Sequence, residues 1–347
     1  MRLNGKNIVF ESSDMPFLKK HGLEAATDLV KEHFNTTNMP FIRDTYQLAG
    51  VLGIRRRALF KLLRNINTFY KEISIPKKSG GVRRLFAPCG TLRATQTQIL
   101  RHILRNGPVS RYATAYVKGK SLADNASPHI GKKYLLKMDI TDFFGSITFV
   151  QVLSAAFPST VFPKQIGVML TELCTRKEAL PQGAPTSPAI SNLVMKNFDN
   201  IMGDWCEKQG ISYTRYCDDL TFSSDSSLYH VYEKAASMLA SMGFEINKKK
   251  THFVTNAVRQ SVTGIVVNEK LSVPRDYKRE LRQEIHYALT YGVESALCCL
   301  GRASKTYEAQ ERYLNTLIGK AEYVLSVEPQ NRWFYEAKQK LLRLRYI

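Results

Sequence analysis

Two aspartates stand side by side at Asp218 and Asp219, after Tyr216 and Cys217 and between two short runs with strand character, 211–216 and 220–223. A tight turn between strands ordinarily uses Asn-Gly or Asp-Gly, because glycine supplies the positive φ. Two adjacent carboxylates at such a turn repel each other and stabilise little. They make sense if a cation is held there. Asp139 ends a third apolar run, 134–139, and a neighbouring strand placement would bring it beside Asp218. Hard divalent cations take oxygen ligands, and Mg²⁺ is typically held by one or two carboxylates plus substrate phosphates. Two such ions about 4 Å apart activate an attacking hydroxyl and stabilise a departing pyrophosphate. An Asp-Asp pair by itself reads as a solvated turn. Asp139 and the next motif change that.

That motif is Leu180-Pro-Gln-Gly-Ala-Pro-Thr-Ser-Pro188, with three prolines and a glycine in nine residues directly ahead of a helical pattern. Such a segment fixes an irregular backbone, on which Gln182 and Ser187 offer polar groups from a rigid frame. Its plain alternative is a stiff helix-entry loop.

The elements that must position these groups are legible in outline. Residues 70–75 alternate like a strand, Lys77-Lys-Ser-Gly-Gly81 supplies turn chemistry, and 82–87 run back, so a β-hairpin with cations at its tip is predicted. Residues 91–105 read as helix, as do 190–205, about 230–242, the stretch after Pro274 up to Gly292, and segments near 306–326 and 332–346. The first seventy residues read as helical. Within them, two short helices about Gly53 fit a packed αα-hairpin better than a DNA-reading helix-turn-helix.

The chain has 347 residues, 44% hydrophobic and 23% charged, an ordinary globular balance that excludes disordered and fibrous classes. The longest apolar stretch, 48–54, is too short to cross a bilayer, and residues 1–10 lack a signal-peptide layout. Six cysteines form no CxxC pair, so neither a zinc ribbon nor a disulfide framework is indicated, and a soluble, cytoplasmic protein is expected. The net charge is +20 and unevenly spread: 71–138 holds 14 basic and 2 acidic residues, whereas 139–264 holds 11 and 12. A basic field this concentrated points to a polyanion, most simply nucleic acid.

In order and spacing, Lys137-Met-Asp-Ile-Thr-Asp-Phe-Phe144, the Leu-Pro-Gln-Gly run and Tyr-Cys-Asp-Asp resemble three core motifs of reverse transcriptases, and Gly243 with Lys248-Lys-Lys250 resembles the fourth. Asn125-Ala-Ser-Pro-His129 and Val262-Thr-Gly264 resemble the NAxxH and VTG signatures of the bacterial retron branch. The resemblance covers about residues 70 to 300; Cys217 stands where many members have alanine. It implies an α+β right-hand polymerase fold: an N-terminal helical extension (1–70), fingers with the basic hairpin (71–138), a palm of antiparallel sheet plus helices (139–264) and a helical thumb (265–347).

By the same resemblance, Asp139, Asp218 and Asp219 bind two Mg²⁺ ions. Lys77, Lys78, Arg83 and Arg84 grip the incoming deoxynucleoside triphosphate, Arg83 being the best aligned and the lysines equally readable as surface. Phe144 matches an aromatic gate against a 2′-hydroxyl, with a core role for it or Phe143 as the alternative. Gln182 contacts nucleotide or template. Lys250 resembles the lysine that protonates the leaving pyrophosphate, with Lys248 and Lys249 as neighbours for the same role. Asn125, His129, Val262, Thr263 and Gly264 fall in regions associated with the cognate structured RNA, although His129 reads equally as a buried histidine. Arg275, Lys278, Arg279 and Arg282 should track a nucleic-acid backbone.

Such an enzyme copies part of its own non-coding RNA from an internal guanosine 2′-hydroxyl, leaving branched RNA-linked DNA, and family members commonly act in phage defence with an effector, here a separate protein. Three other readings compete. An intron-maturase type of reverse transcriptase lacks support from NAxxH, VTG and any long maturase extension. A non-catalytic RNA-binding scaffold would not need Asp139, Asp218, Asp219, Gln182 and Phe144. A cyclase on a related palm would not explain the basic 71–138 segment.

Overall fold

The computed structural model describes residues 2–4, 7–9, 40–76, 80–299 and 306–344. In chain order they form β1 (Arg2–Asn4), β2 (Asn7–Val9), α1 (Thr45–Val51), α2 (Arg56–Arg64), β3 (Tyr70–Pro76), β4 (Val82–Pro88), α3 (Gly90–His102) and α4 (Leu122–Ala126). Then come β5 (Tyr134–Asp139), α5 (Phe143–Ser146), α6 (Phe149–Ala156), α7 (Lys164–Cys174), α8 (Ser187–Glu207), β6 (Ser212–Tyr216), β7 (Asp219–Ser224) and α9 (Tyr229–Ser241). The remainder is β8 (His252–Thr255), β9 (Ser261–Val262), β10 (Ile265–Val266), α10 (Arg275–Tyr291), α11 (Val293–Cys299), α12 (Tyr307–Val327) and α13 (Arg332–Leu344). Helix and antiparallel sheet are both substantial, so the chain is α+β. No helix among the described residues is long and apolar enough to cross a membrane.

The expected helix over the first seventy residues is present at 45–64 and corrected at 2–9, where β1 and β2 pair with Asn4 opposite Asn7. Residues 10–39 lie outside the described residues.

The contacts divide the chain into two compact units. The first comprises 1–116, 140–200 and 240–245. Here β3 and β4 form the predicted hairpin, in register from Tyr70 opposite Pro88 to Pro76 opposite Val82. Its base is tied to the Leu-Pro-Gln-Gly loop, because the Phe86 amide donates to the Gln182 carbonyl at 2.8 Å. The Arg176 guanidinium lies 3.8 Å over the Phe86 ring, a cation–π contact that adds to the same joint. Gly183 sits there at φ +118° with backbone of residue 86 close by, a conformation L side chains rarely adopt.

The second unit comprises 117–139, 201–239 and 246–347. Its sheet runs in the order β6-β7-β5-β8 and all three pairings are antiparallel. Its apolar core continues into the C-terminal helices through Leu281, Ile285, Leu317, Val324, Phe334 and Leu341, all buried. Pro274 and Gly292 bound α10 as expected, Gly292 at φ +85°. Within this core Lys278 pairs with Glu328 at 2.6 Å. Glu328 also accepts from the Val273 amide at 2.9 Å and from Asn331 at 2.7 Å.

Candidate active site

The two-residue connection between β6 and β7 builds the site. Tyr216 pairs with Asp219, so Cys217 and Asp218 are the central residues of a tight hairpin turn. Cys217 takes φ +60°, the conformation for which glycine would be the ordinary choice. A buried arginine holds the turn from beneath: Arg215, with no solvent exposure, donates through Nη1 to the Cys217 carbonyl at 2.9 Å. Arg215 was not among the residues singled out from the sequence. Its signal was a cation inside a short strand with no other charged residue.

β5 lies beside β7 with Asp139 directly opposite Asp219. The adjoining strand therefore brings Asp139 to the aspartate pair, in register with Asp219 rather than with Asp218. Reduced access to water, followed by the charges of Asp218 and Asp139, pushes the Asp219 carboxyl up to about 6. Carboxylates that raise the proton affinity of Asp219 mark a site short of positive charge.

The short turn 248–250 supplies a cation. The Asn247 amide donates to the Asp139 carbonyl at 2.8 Å, and Lys250 Nζ donates to Asp139 Oδ2 at 2.8 Å. The hydrogen bond to Asp139 leads the causes that hold the Lys250 ammonium above the usual lysine range. All three consecutive lysines are exposed, and of them Lys250 reaches Asp139. As the side chains stand, no group of three or more His, Cys, Asp or Glu among the described residues encloses a metal position. The donor set nonetheless fits hard dications: all oxygen and mutually repelling, with the Lys250 ammonium on Asp139 and the charge of Lys137 felt at Asp219.

The residues expected at the nucleotide belong to the first unit. Arg84 is exposed and lies 3.5 Å from Glu72, whereas alternation along β4 turns the exposed Arg83 to the opposite face of the hairpin. Lys77 and Lys78 lie outside the described residues. Phe143 is buried and packs 5.9 Å from Phe244, centroid to centroid, leaving Phe144 half-buried. A Cβ at Gly145 would meet the Asp142 carboxylate, which would have to move aside. Gln182 is half-buried, and Ser187 braces its loop by donating to the Pro181 carbonyl at 2.7 Å.

The retron-signature residues lie elsewhere than expected for direct contact with a ligand. Asn125, His129 and Val262 are fully buried, so in this arrangement their side chains offer no surface to an RNA. Thr263 is half-buried and Gly264 exposed, at φ +46° and +86° in the turn joining β9 to β10. On α10, Arg275, Arg279 and Arg282 are exposed. Lys278 instead spends its charge on Glu328, with only 16% of its side chain exposed. Arg282 stacks over the Trp333 and Phe334 rings at 5.5 and 5.4 Å.

Comparison with known proteins identifies the family of this chain. The family model "Reverse transcriptase (RNA-dependent DNA polymerase)" matches residues 75–287. The retron Mx65 reverse transcriptase of Myxococcus xanthus is 36% identical over 273 residues, 72% of this chain and 64% of that protein. The retron Ec86 reverse transcriptase of Escherichia coli is 30% identical over 314 residues, 87% of this chain and 98% of that protein. This chain therefore spans just under two thirds of the Mx65 protein and nearly all of the Ec86 protein. Among solved structures, a telomerase from Candida tropicalis aligns with a TM-score of 0.45 at 11% identity, over 79% of this chain and 57% of that one, a likeness too slight to argue from. With three aspartates and a lysine gathered at one end of an antiparallel sheet, and with relatives of this closeness, the chain belongs to the reverse transcriptases, the RNA-directed DNA polymerases, in their retron branch.

Proposed function

We propose that this protein copies part of a cognate structured non-coding RNA into multicopy single-stranded DNA. In this reading synthesis is primed from an internal guanosine 2′-hydroxyl, so the product is a branched RNA–DNA hybrid. The setting is cytoplasmic anti-phage defence, with a separate effector protein as partner. The observation that carries the polymerase reading is the register pairing of Asp139 with Asp219 beside Asp218, with Lys250 on the same carboxylates. The retron assignment is supported by the relatives and by the two signatures.

Asp139, Asp218 and Asp219 would hold two Mg²⁺ ions, whose chemistry is to ease ionisation of the primer hydroxyl and to neutralise charge on the departing pyrophosphate. The rest is positioning by the protein's own groups. Lys250, kept protonated by its carboxylate partner, is an acid available to the leaving group. Arg83 and the hairpin-tip lysines Lys77 and Lys78, with Arg84 beside them, grip the triphosphate. Phe144 excludes a 2′-hydroxyl, and Gln182 contacts nucleotide or template. Arg275, Arg279 and Arg282, with Thr263 and Gly264, form the surface offered to RNA. Lys278 supports that helix from inside.

The test is deoxynucleotide incorporation on the copurifying RNA with and without Mg²⁺. Incorporation is expected only with the metal, and is expected to vanish in the Asp218→Asn/Asp219→Asn double variant. Wild-type rates in that variant would refute the assigned site.

A further inference from the structure

Two signatures that the reaction itself does not explain, residues 125–129 and 262–264, converge on one buried polar chain within the second unit. Asn125 ends up on α4 and His129 on the single 3₁₀ turn that follows it. A spacing of four places both on one side of this continuous helical path. His129 reaches two strands at once: Nε2 lies 2.8 Å from Thr214 Oγ1 on β6, and Nδ1 lies 2.7 Å from Ser223 Oγ on β7. The Thr214 hydroxyl donates to the Asn125 carbonyl at 3.2 Å. Its proton being committed there, Thr214 accepts from His129 Nε2–H, and bare Nδ1 accepts from the Ser223 hydroxyl. Asn125 Nδ2 in turn donates to Thr263 Oγ1 at 3.4 Å.

The register shows where this chain acts. Thr214 faces Thr221, Tyr216 faces Asp219 and Ser212 faces Ser223. Side chains alternate along a strand, so Thr214, Ser223, Asp219 and Asp139 all stand on one face of the sheet. Ser223 is four residues from Asp219, about 13 Å along the strand. His129 therefore ties β6 to β7 diagonally on the face that carries the carboxylates. A diagonal tie opposes sliding of β6 past β7, the motion that would distort the turn through which Cys217 and Asp218 join the two strands and so displace Asp218 from Asp219, which stands opposite Asp139. Resistance is needed because the turn is adverse: two adjacent carboxylates and a non-glycine residue at positive φ. Strands of five and six residues supply little stiffness alone.

We infer that His129 is a positioning residue for nucleotide transfer, with Thr214 and Ser223 as its grips and Asn125 and Thr263 as its support. In this role the buried Asn125 and His129 brace the aspartate turn from inside the sheet instead of touching RNA. The inference rests on the polymerase reading proposed above.

The test uses the full-length protein and three variants: Ser223→Ala, Thr214→Val and, keeping the hydroxyl, Ser223→Thr. Incorporation is measured on a primed homopolymer, which needs no cognate RNA, and affinity for the copurifying RNA is measured separately. Misplacement of reacting groups by about 1 Å costs on the order of a hundredfold. Ser223→Ala and Thr214→Val are therefore expected to lower kcat by about tenfold or more, with the KM for deoxynucleotide and the RNA Kd within about twofold. Ser223→Thr restores kcat. A loss of RNA affinity with kcat intact would overturn the inference in favour of an RNA contact. Unchanged kcat and affinity in both hydroxyl deletions would overturn it in favour of plain core filling. Should Thr214→Val fail to fold, Ser223→Ala decides, since it leaves the Thr214 contact in place. An inactive wild-type protein on the homopolymer would instead count against the polymerase reading.

Discussion

The buried His129 network makes a quantitative prediction about pH. Burial is the cause that lowers the His129 imidazole from its ordinary 6.5 to about 3. The folded state thus binds this proton more weakly than the unfolded chain does. Above pH 6.5 neither state is protonated and the fold has the full benefit. As pH falls from 6.5 toward 3, the unfolded chain takes up a proton that the folded protein refuses, and stability is lost. At pH 5 the difference is one and a half pH units below the unfolded pKa, or roughly 2 kcal/mol at 1.36 kcal/mol per unit. His129→Gln lacks this proton. It is less stable than wild type at pH 7, because two buried hydrogen bonds are disturbed, each worth about 1 kcal/mol. On going to pH 5 the wild type should lose about 2 kcal/mol that the variant keeps, so the gap between them narrows or closes. Urea unfolding of both proteins at pH 7 and pH 5 measures this directly, with all other titrating groups common to the pair. A gap that stays constant between the two pH values would refute the claim that His129 is buried neutral.

Three further outcomes are expected. Lys250→Met should lower the single-turnover incorporation rate by roughly a hundredfold, the scale of a lost general acid, with little change in the deoxynucleotide KM. Asp219→Asn should abolish incorporation yet raise the thermal midpoint of the metal-free protein, because it removes one of three mutually repelling carboxylates; a lower midpoint would contradict that account of the site. Lys278→Met should cost about 1.5–3 kcal/mol of stability by removing a charge-assisted hydrogen bond from the part-buried Glu328 carboxylate, whereas Arg279→Ala, which breaks the exposed 3.5 Å pair with Asp276, should cost under about 1 kcal/mol; paired thermal melts compare them.

Local pattern carried much of this molecule. The alternation at 70–75 and the return run 82–87 announced the basic hairpin, the apolar run ending at Asp139 announced β5, and Pro274 and Gly292 bracketed α10, because such signals depend on neighbours in the chain. The adjacency of Asp218 and Asp219 at a turn was legible for the same reason, as was a cation close behind Gly243. What the chain pattern did not contain was register and burial. That Asp139 stands opposite Asp219, that Lys250 rather than Lys248 or Lys249 reaches it, and that Arg215 props the turn all depend on which strand lies beside which. Likewise, Lys278 and Arg279 look alike in a basic helix, and only packing against the segment around Glu328 turns one inward. His129 shows the limit most clearly. A histidine in a polar segment reads the same whether it meets solvent or two strand hydroxyls, and the choice is made by contacts with residues 85 and 94 positions away, which only the folded chain brings together.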